Sequence, residues 1–193
     1  QSRSSAASDV YKRQELAYEI LIENDGNNFI YAPLVNYADH TFGVCKKMLD
    51  DKNAIMGLGD GGAHVGFILD AGYPTWLISY WSVKQKAYSM EETVRRLTSD
   101  TANAAGLNDR GLLKVGLKAD INIIDWENVG SSDPFMTQDL PAGGKRLMQY
   151  TKGYVTTIVS GKVTYKNGKF TKERPGTVVK SVKDEEKTLE FIN

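Results

Sequence analysis

The stretch Gly59-Asp60-Gly61-Gly62-Ala63-His64 holds the residues of this chain best placed to do chemistry. A carboxylate follows the apolar run Ala54 to Leu58, with glycines on both sides of it. A short apolar run of this kind reads as a buried strand. In parallel β/α folds the C-terminal ends of such strands carry the chemistry. The glycines permit a sharp turn and let a substrate come close to the backbone. Apolar neighbours would limit the hydration of Asp60, so its ionised form needs a cation, a metal or a hydrogen-bond donor. Two readings stay open. Asp60 is a general base or metal ligand, or it is an aspartate that caps its own turn through backbone amides. His64, in the same loop, could contact substrate, shuttle a proton or ligate a metal. It could equally be bonded to backbone.

Few other residues compete for such roles. The chain has 193 residues with two histidines and one cysteine. That excludes an internal disulfide framework and a multi-cysteine zinc site, and it leaves too few histidines for a histidine-rich metal centre. His40, beside Thr41 at a predicted helix start, reads as solvated or capping. Cys45 falls on the apolar face of a predicted helix and reads as core. Tyr73, Trp76, Tyr80, Trp81 and Tyr88 either line a pocket or pack together, and packed rings would need partners for their N–H and O–H groups.

The elements that must position Asp60 follow from periodicity. Apolar spacing predicts helices over 15–23 and 42–49, with short strands at 29–32 and 54–58. Helix, strand, helix, strand is the rhythm of parallel βα units. Pro74 is expected to interrupt the apolar stretch 67–81. Ser89-Met90-Glu91-Glu92 reads as a capping box opening a helix that Gly106 closes. From Gly111 the period changes to short strands near 112–113, 115–116 and 119–124. Residues 128–146 read as an irregular connector. Strands follow at 154–159, 162–166 and 169–171, and Asn167-Gly168 is a two-residue hairpin turn. The charged stretch 182–193 reads as a short or frayed helix.

The 24 basic and 24 acidic side chains cancel, so net charge gives no reason to expect nucleic acid as a partner. The balance hides a division: residues 1–14 are +2, residues 15–140 are −8 and residues 141–193 are +6. The basic third reads as the solvated face of alternating strands. No apolar run is long enough for a transmembrane helix, and no signal-peptide layout opens the chain. The expectation is a cytoplasmic protein with neither nucleic acid nor membrane as partner. Residues 1–14 lack clear periodicity and read as a foreign leader.

Ile55 through Val65 resembles the last barrel strand and catalytic loop of the N-acyl-D-amino-acid deacylase (D-aminoacylase) branch of the amidohydrolase superfamily. Gly106-Leu107-Asn108-Asp109-Arg110-Gly111 through Gly116-Leu117-Lys118-Ala119-Asp120-Ile121 resembles the superfamily's return into its small β-sandwich. Leu140 to Arg146 and Val159 to Val163 are similar to the tail of the same branch. The resemblance implies an α/β fold, the C-terminal βα units of a TIM-like (β/α)8 barrel over 15–110. Part of a β-sandwich would follow over 111–180, with a charged tail over 181–193. It implies a metal-dependent hydrolase of a linear amide, with a small N-acyl molecule as substrate. Asp60 would be both zinc ligand and proton carrier for the attacking water, and His64 a substrate contact. Zinc is implied for the complete protein only, because the family's His-x-His pair has no match here. The arginine that binds substrate carboxylate shortly after the aspartate also has no match, since Arg95 is the first arginine after Asp60. The chain therefore reads as the C-terminal part of an enzyme, inactive and without tight zinc by itself. The alternatives are a cyclic-amide hydrolase of dihydroorotase or hydantoinase type, and a non-catalytic binding domain that keeps the fold.

Overall fold

The computed structural model describes residues 6–31, 35–37, 39–57 and 59–179. Helices occupy the first half of the chain and strands the second, a mixed α/β arrangement. Helix α1, Ala6–Gly26, begins inside the segment set aside as a leader. It breaks where turn chemistry is strongest: Asn24, Asp25 and Gly26 all have positive φ. Leu16 and Leu21 on its predicted apolar face are exposed. Helix α2, Gly43–Asp50, follows a turn in which the Asp39 carboxylate accepts from the Thr41 N–H and hydroxyl. His40 lies exposed in that turn with its ring edge-on to Tyr37; its backbone N–H donates to the Tyr37 carbonyl at 3.1 Å, and the side-chain capping is done by Asp39.

Pro74 starts a helix rather than interrupting one. Helix α3, Tyr73–Trp76, carries Pro74 in its first turn, where a missing N–H costs nothing. It runs into a π-helix, Leu77–Lys84. The wider turn stacks Leu77 and Ile78 over Trp81 and Ser82, and all four are buried. Leu77 is 0% exposed and forms the core with Trp81 and Tyr88. Phe42, Cys45, Leu49 and Met56 pack against that core, so Cys45 takes the packing role expected of it. The aromatic set does both: Trp81 meets Trp76 and Tyr80 edge to face at 84° in the packed cluster, while Tyr73 and Trp76 also line a cavity. The Tyr88 hydroxyl donates to Asp50 Oδ1 at 2.9 Å. Trp81 Nε1 finds no hydrogen-bond partner among the described residues.

Helix α4, Met90–Leu97, opens with half of the predicted box: the Glu92 N–H donates to Ser89 Oγ at 3.1 Å, while the Glu92 carboxylate accepts from Arg96 instead of reaching back. The single helix expected to continue to Gly106 breaks at Thr98, which has φ −126° and ψ −86°. Helix α5, Ser99–Ala104, ends on Gly106 at φ +69°. There the Leu107 N–H reaches the Ala102 carbonyl and the Gly106 N–H reaches that of Asn103. This pair of bonds closes orphan carbonyls at the helix end.

Beyond α5 the chain is pinned by the Asp109-Arg110-Gly111…Asp120 signature. Arg110 bonds Asp109 through two nitrogens and reaches Asp120 Oδ2 at 3.2 Å. Asp120 Oδ1 accepts the Ser160 N–H at 2.8 Å. Gly111 has φ +90°, and a Cβ there would lie 2.9 Å from Ala102 Cβ and 3.1 Å from Ser99 Cα. Leu112, Leu113 and Val115 are exposed and form no strand, unlike the expectation for 112–116. An isolated strand leaves its backbone groups unpaired, and this segment is held by turns instead.

The main sheet is antiparallel in the order β2-β7-β8-β9, with β2 Ile121–Ile124, β7 Tyr154–Val159, β8 Lys162–Lys166 and β9 Lys169–Phe170. Ser160-Gly161 and Asn167-Gly168 turn its hairpins with positive φ at both residues, the twist-matched geometry for two-residue loops. The expected irregular connector contains strands. β3, Gly130–Ser131, pairs with β6, Thr151–Lys152. β4, Phe135–Leu140, pairs with β5, Gly144–Met148. Pro141 and the Gly143-Gly144 pair form the turn of that hairpin rather than breaking it.

The parallel βα rhythm does not appear. Every strand pairing among the described residues is antiparallel. Residues 29–31 and 54–57 form no strand. A parallel strand is defined by its neighbours' hydrogen bonds, and these runs find none among the described residues. The stretch 182–193 lies outside the described residues. No helix among the described residues is long and apolar enough to cross a membrane.

Candidate functional site

Asp60 precedes a strand rather than following one. β1, Gly61–His64, begins at the next residue. The Ala63 N–H donates to the Asp60 carbonyl at 3.0 Å, and Gly62 within that turn has φ +103°. A four-residue turn with positive φ at its third residue is a type II geometry that favours glycine there. The glycines therefore bend the chain at Asp60 as their sequence implies.

Two further glycines let chain lie against chain. A Cβ on Gly61 would lie 2.6 Å from Ala71 Cβ and 2.8 Å from the Ala71 nitrogen. A Cβ on Gly59 would strike the Asp70 carbonyl oxygen. Residues 59–61 thus lie flush on Asp70 and Ala71. The Asp60 N–H donates to Asp70 Oδ2 at 2.8 Å. Residues 59–70 form a closed surface loop. On its far side the Val65 carbonyl accepts the Leu147 N–H of β5 at 2.7 Å.

The Asp60 side chain is exposed, contrary to the hydration-limited carboxylate expected from its apolar approach. The reason lies in 54–57: Ile55 is itself exposed, and the run lies beside an open cavity of about 380 Å³. Met48, Leu49, Met56, Trp76 and Leu77 wall that cavity, which reaches Gly59 and Asp70. No hydrogen bond to the Asp60 carboxylate is found among the described residues. The turn's own bonds use its backbone carbonyl and N–H instead.

His64 ends β1 with φ +46°, and its ring stacks on Phe67 with centroids 5.1 Å apart. Its carbonyl accepts the Phe67 and Ile68 amides. The imidazole is exposed. Asp60 and His64 share one loop, and the structure records no contact between their side chains.

The described residues do not assemble a metal site. No group of three His, Cys, Asp or Glu that could hold an ion occurs among them. Asp60 and Asp70 meet through a backbone N–H rather than by converging two carboxylates on one point. The resemblance assigns this chain a single zinc ligand, Asp60, so a cluster of three donors is not required of it.

Asp70 is the residue that sequence reasoning missed. It stands between the apolar Phe67–Leu69 and the start of α3, where an aspartate reads as ordinary turn chemistry. Its bond to a residue ten positions back has no local signal.

A sequence model described as the Amidohydrolase family matches residues 32–165. The dihydroorotase of Lactobacillus acidophilus is 33% identical over 89 residues, covering 44% of this chain and 20% of that protein. The chain thus spans about a fifth of the length of the curated relative it matches. No solved structure matches it.

Proposed function

The chain belongs to the amidohydrolase family, and we propose that it supplies the proton-handling carboxylate, Asp60, of a hydrolase that cleaves a linear C–N amide bond. The observation that carries this reading is the Asp60 turn. A carboxylate that takes no donor from the described residues is held by a fixed backbone between two glycines that leave no side chain in its way. Asp60 accepts a proton from water as the water oxygen bonds to the acyl carbon. It passes that proton to the nitrogen as the C–N bond breaks, releasing a carboxylate and an amine. His64, exposed in the same loop, contacts the substrate. The proposed ligand is a small N-acyl amino acid. In the complete protein a zinc ion held in part by Asp60 would supply the acidity that makes such a water a nucleophile near neutral pH.

A second reading is favoured by one specific observation. The dihydroorotase match supports a cyclic amide as substrate. A panel of N-acyl amino acids, dihydroorotate and hydantoins, offered to the complete protein that carries this chain, separates the two. In the same protein Asp60→Asn is expected to lower kcat by ~10²–10⁴-fold, the range of a general acid–base contribution. Turnover retained by Asp60→Asn refutes the assigned role, whereas a complete protein that turns over none of the panel leaves the binding-domain reading standing.

A further inference from the structure

We infer that Asp70 is a positioning residue for Asp60, closing the loop that carries it; this rests on the catalytic reading of Asp60 above. The contact is a backbone N–H held by a carboxylate, a charge-assisted bond at 2.8 Å. It fixes the peptide plane from which the Asp60 side chain projects. The glycine contacts make the register specific, because 59–61 can lie flush on 70–71 only while both Gly59 and Gly61 lack a Cβ.

Asp70 is itself anchored from behind. Its carbonyl accepts the Tyr73 N–H at 3.4 Å at the start of α3. Helix α3 continues into the π-helix, whose Leu77 and Trp81 form the core. Fixed geometry therefore passes from the core through α3 to Asp70 and across one hydrogen bond to Asp60. A reacting group displaced by about 1 Å can lose ~10²-fold in rate while ground-state binding is untouched. A bond that sets the position of Asp60 should act on kcat.

The test uses Asp70→Ala and Asp70→Asn in the complete protein, with Asp60→Asn beside them. Asp70→Ala removes the acceptor, while Asp70→Asn keeps a carbonyl oxygen in its place. The expected result is a ~10–100-fold lower kcat for Asp70→Ala with KM little changed, and recovery of most of that loss in Asp70→Asn. Amide hydrogen exchange provides a readout independent of turnover. Losing one hydrogen bond should speed exchange at the Asp60 N–H by ~10-fold and leave the π-helix amides unchanged. An unchanged kcat in Asp70→Ala, where Asp60→Asn is inactive, overturns the inference and leaves the catalytic reading intact. An active Asp60→Asn overturns that reading instead. Unchanged exchange at Asp60 in Asp70→Ala shows that Asp70 does not hold the loop, whatever the activity.

Discussion

Gly111 and Gly116 offer a matched pair of perturbations. Their φ values are +90° and +91°, so alanine meets the same backbone penalty at either position, ~1–2 kcal/mol. Their surroundings differ. A Cβ on Gly116 meets nothing within 4 Å. A Cβ on Gly111 meets Ala102 Cβ at 2.9 Å, Ser99 Cα at 3.1 Å and the Thr98 carbonyl oxygen at 3.2 Å. Those atoms belong to the first turns of α5 and its cap, which cannot rotate away as a long side chain could. Overpacking of this kind adds ~1–3 kcal/mol. Gly116→Ala should therefore cost ~1–2 kcal/mol and Gly111→Ala ~2–5 kcal/mol. Urea unfolding followed by tryptophan fluorescence measures both, with Trp76 and Trp81 in the aromatic cluster as reporters. Equal losses from the two variants would refute the close-approach argument. They would reduce Gly111 to a residue chosen for its backbone angle alone.

Two further outcomes bear on the core. Leu77→Ala, at a fully buried position, should cost ~2–5 kcal/mol in denaturant unfolding; a loss under 1 kcal/mol would place the core elsewhere. Stability should also fall at both ends of the pH scale through one linked pair. The hydrogen bond from Lys46, and then that from Tyr88, hold the Asp50 carboxyl below the usual carboxylate range. Its contribution is full above the ordinary carboxylate value and lost as pH falls through the lowered one. Burial, and then the bond to Asp50, push the Tyr88 phenol above its ordinary value of 10.0. Its contribution is full below that value and lost as pH rises through the raised one. Thermal melts across pH, repeated on Tyr88→Phe, check this; an unchanged alkaline limb in the variant assigns that limb to other groups.

Local chemistry was legible in the sequence wherever a few neighbouring residues decide the outcome. Ser89 capped the Glu92 amide as expected, Gly106 closed α5, and Asn167-Gly168 turned its hairpin, whereas the Glu92 carboxylate went to Arg96 instead of completing the box. Elements that depend on distant partners were not legible. Ala54 to Gly57 has the composition of a buried strand, yet strand pairing is a property of two segments, and composition describes one. The glycines of 143–144 and Pro141 read as loop chemistry, when their task was to turn a hairpin between β4 and β5. Pro74 was misread for a related reason. Proline breaks a helix interior but suits its first turn, and only the helix start at Tyr73 decides which applies. At the candidate site the glycines and the turn were readable from type and spacing. The closure by Asp70, ten residues away, was not.

Two of the aspartates in the motifs that carry the family resemblance, Asp120 and Asp60, are held in opposite ways. Asp120 uses both carboxylate oxygens, one toward Arg110 and one toward the Ser160 amide. Those two bonds make a clasp that joins 109–120 to the β7–β8 hairpin. Arg110 is equally committed, to Asp109 and Asp120. In this chain that signature holds the backbone path from α5 into the main sheet. Asp60 is the reverse case. Its N–H and carbonyl are both engaged, while its carboxylate takes no donor from the described residues. An exposed carboxylate on a fixed backbone has the freedom that the proposed proton-handling role needs. The distinction predicts different failures. Asp120→Asn should lower the unfolding midpoint and spare whatever activity the folded protein keeps, whereas Asp60→Asn should do the opposite. A melting temperature that falls equally in both would return Asp60 to the role of a turn residue.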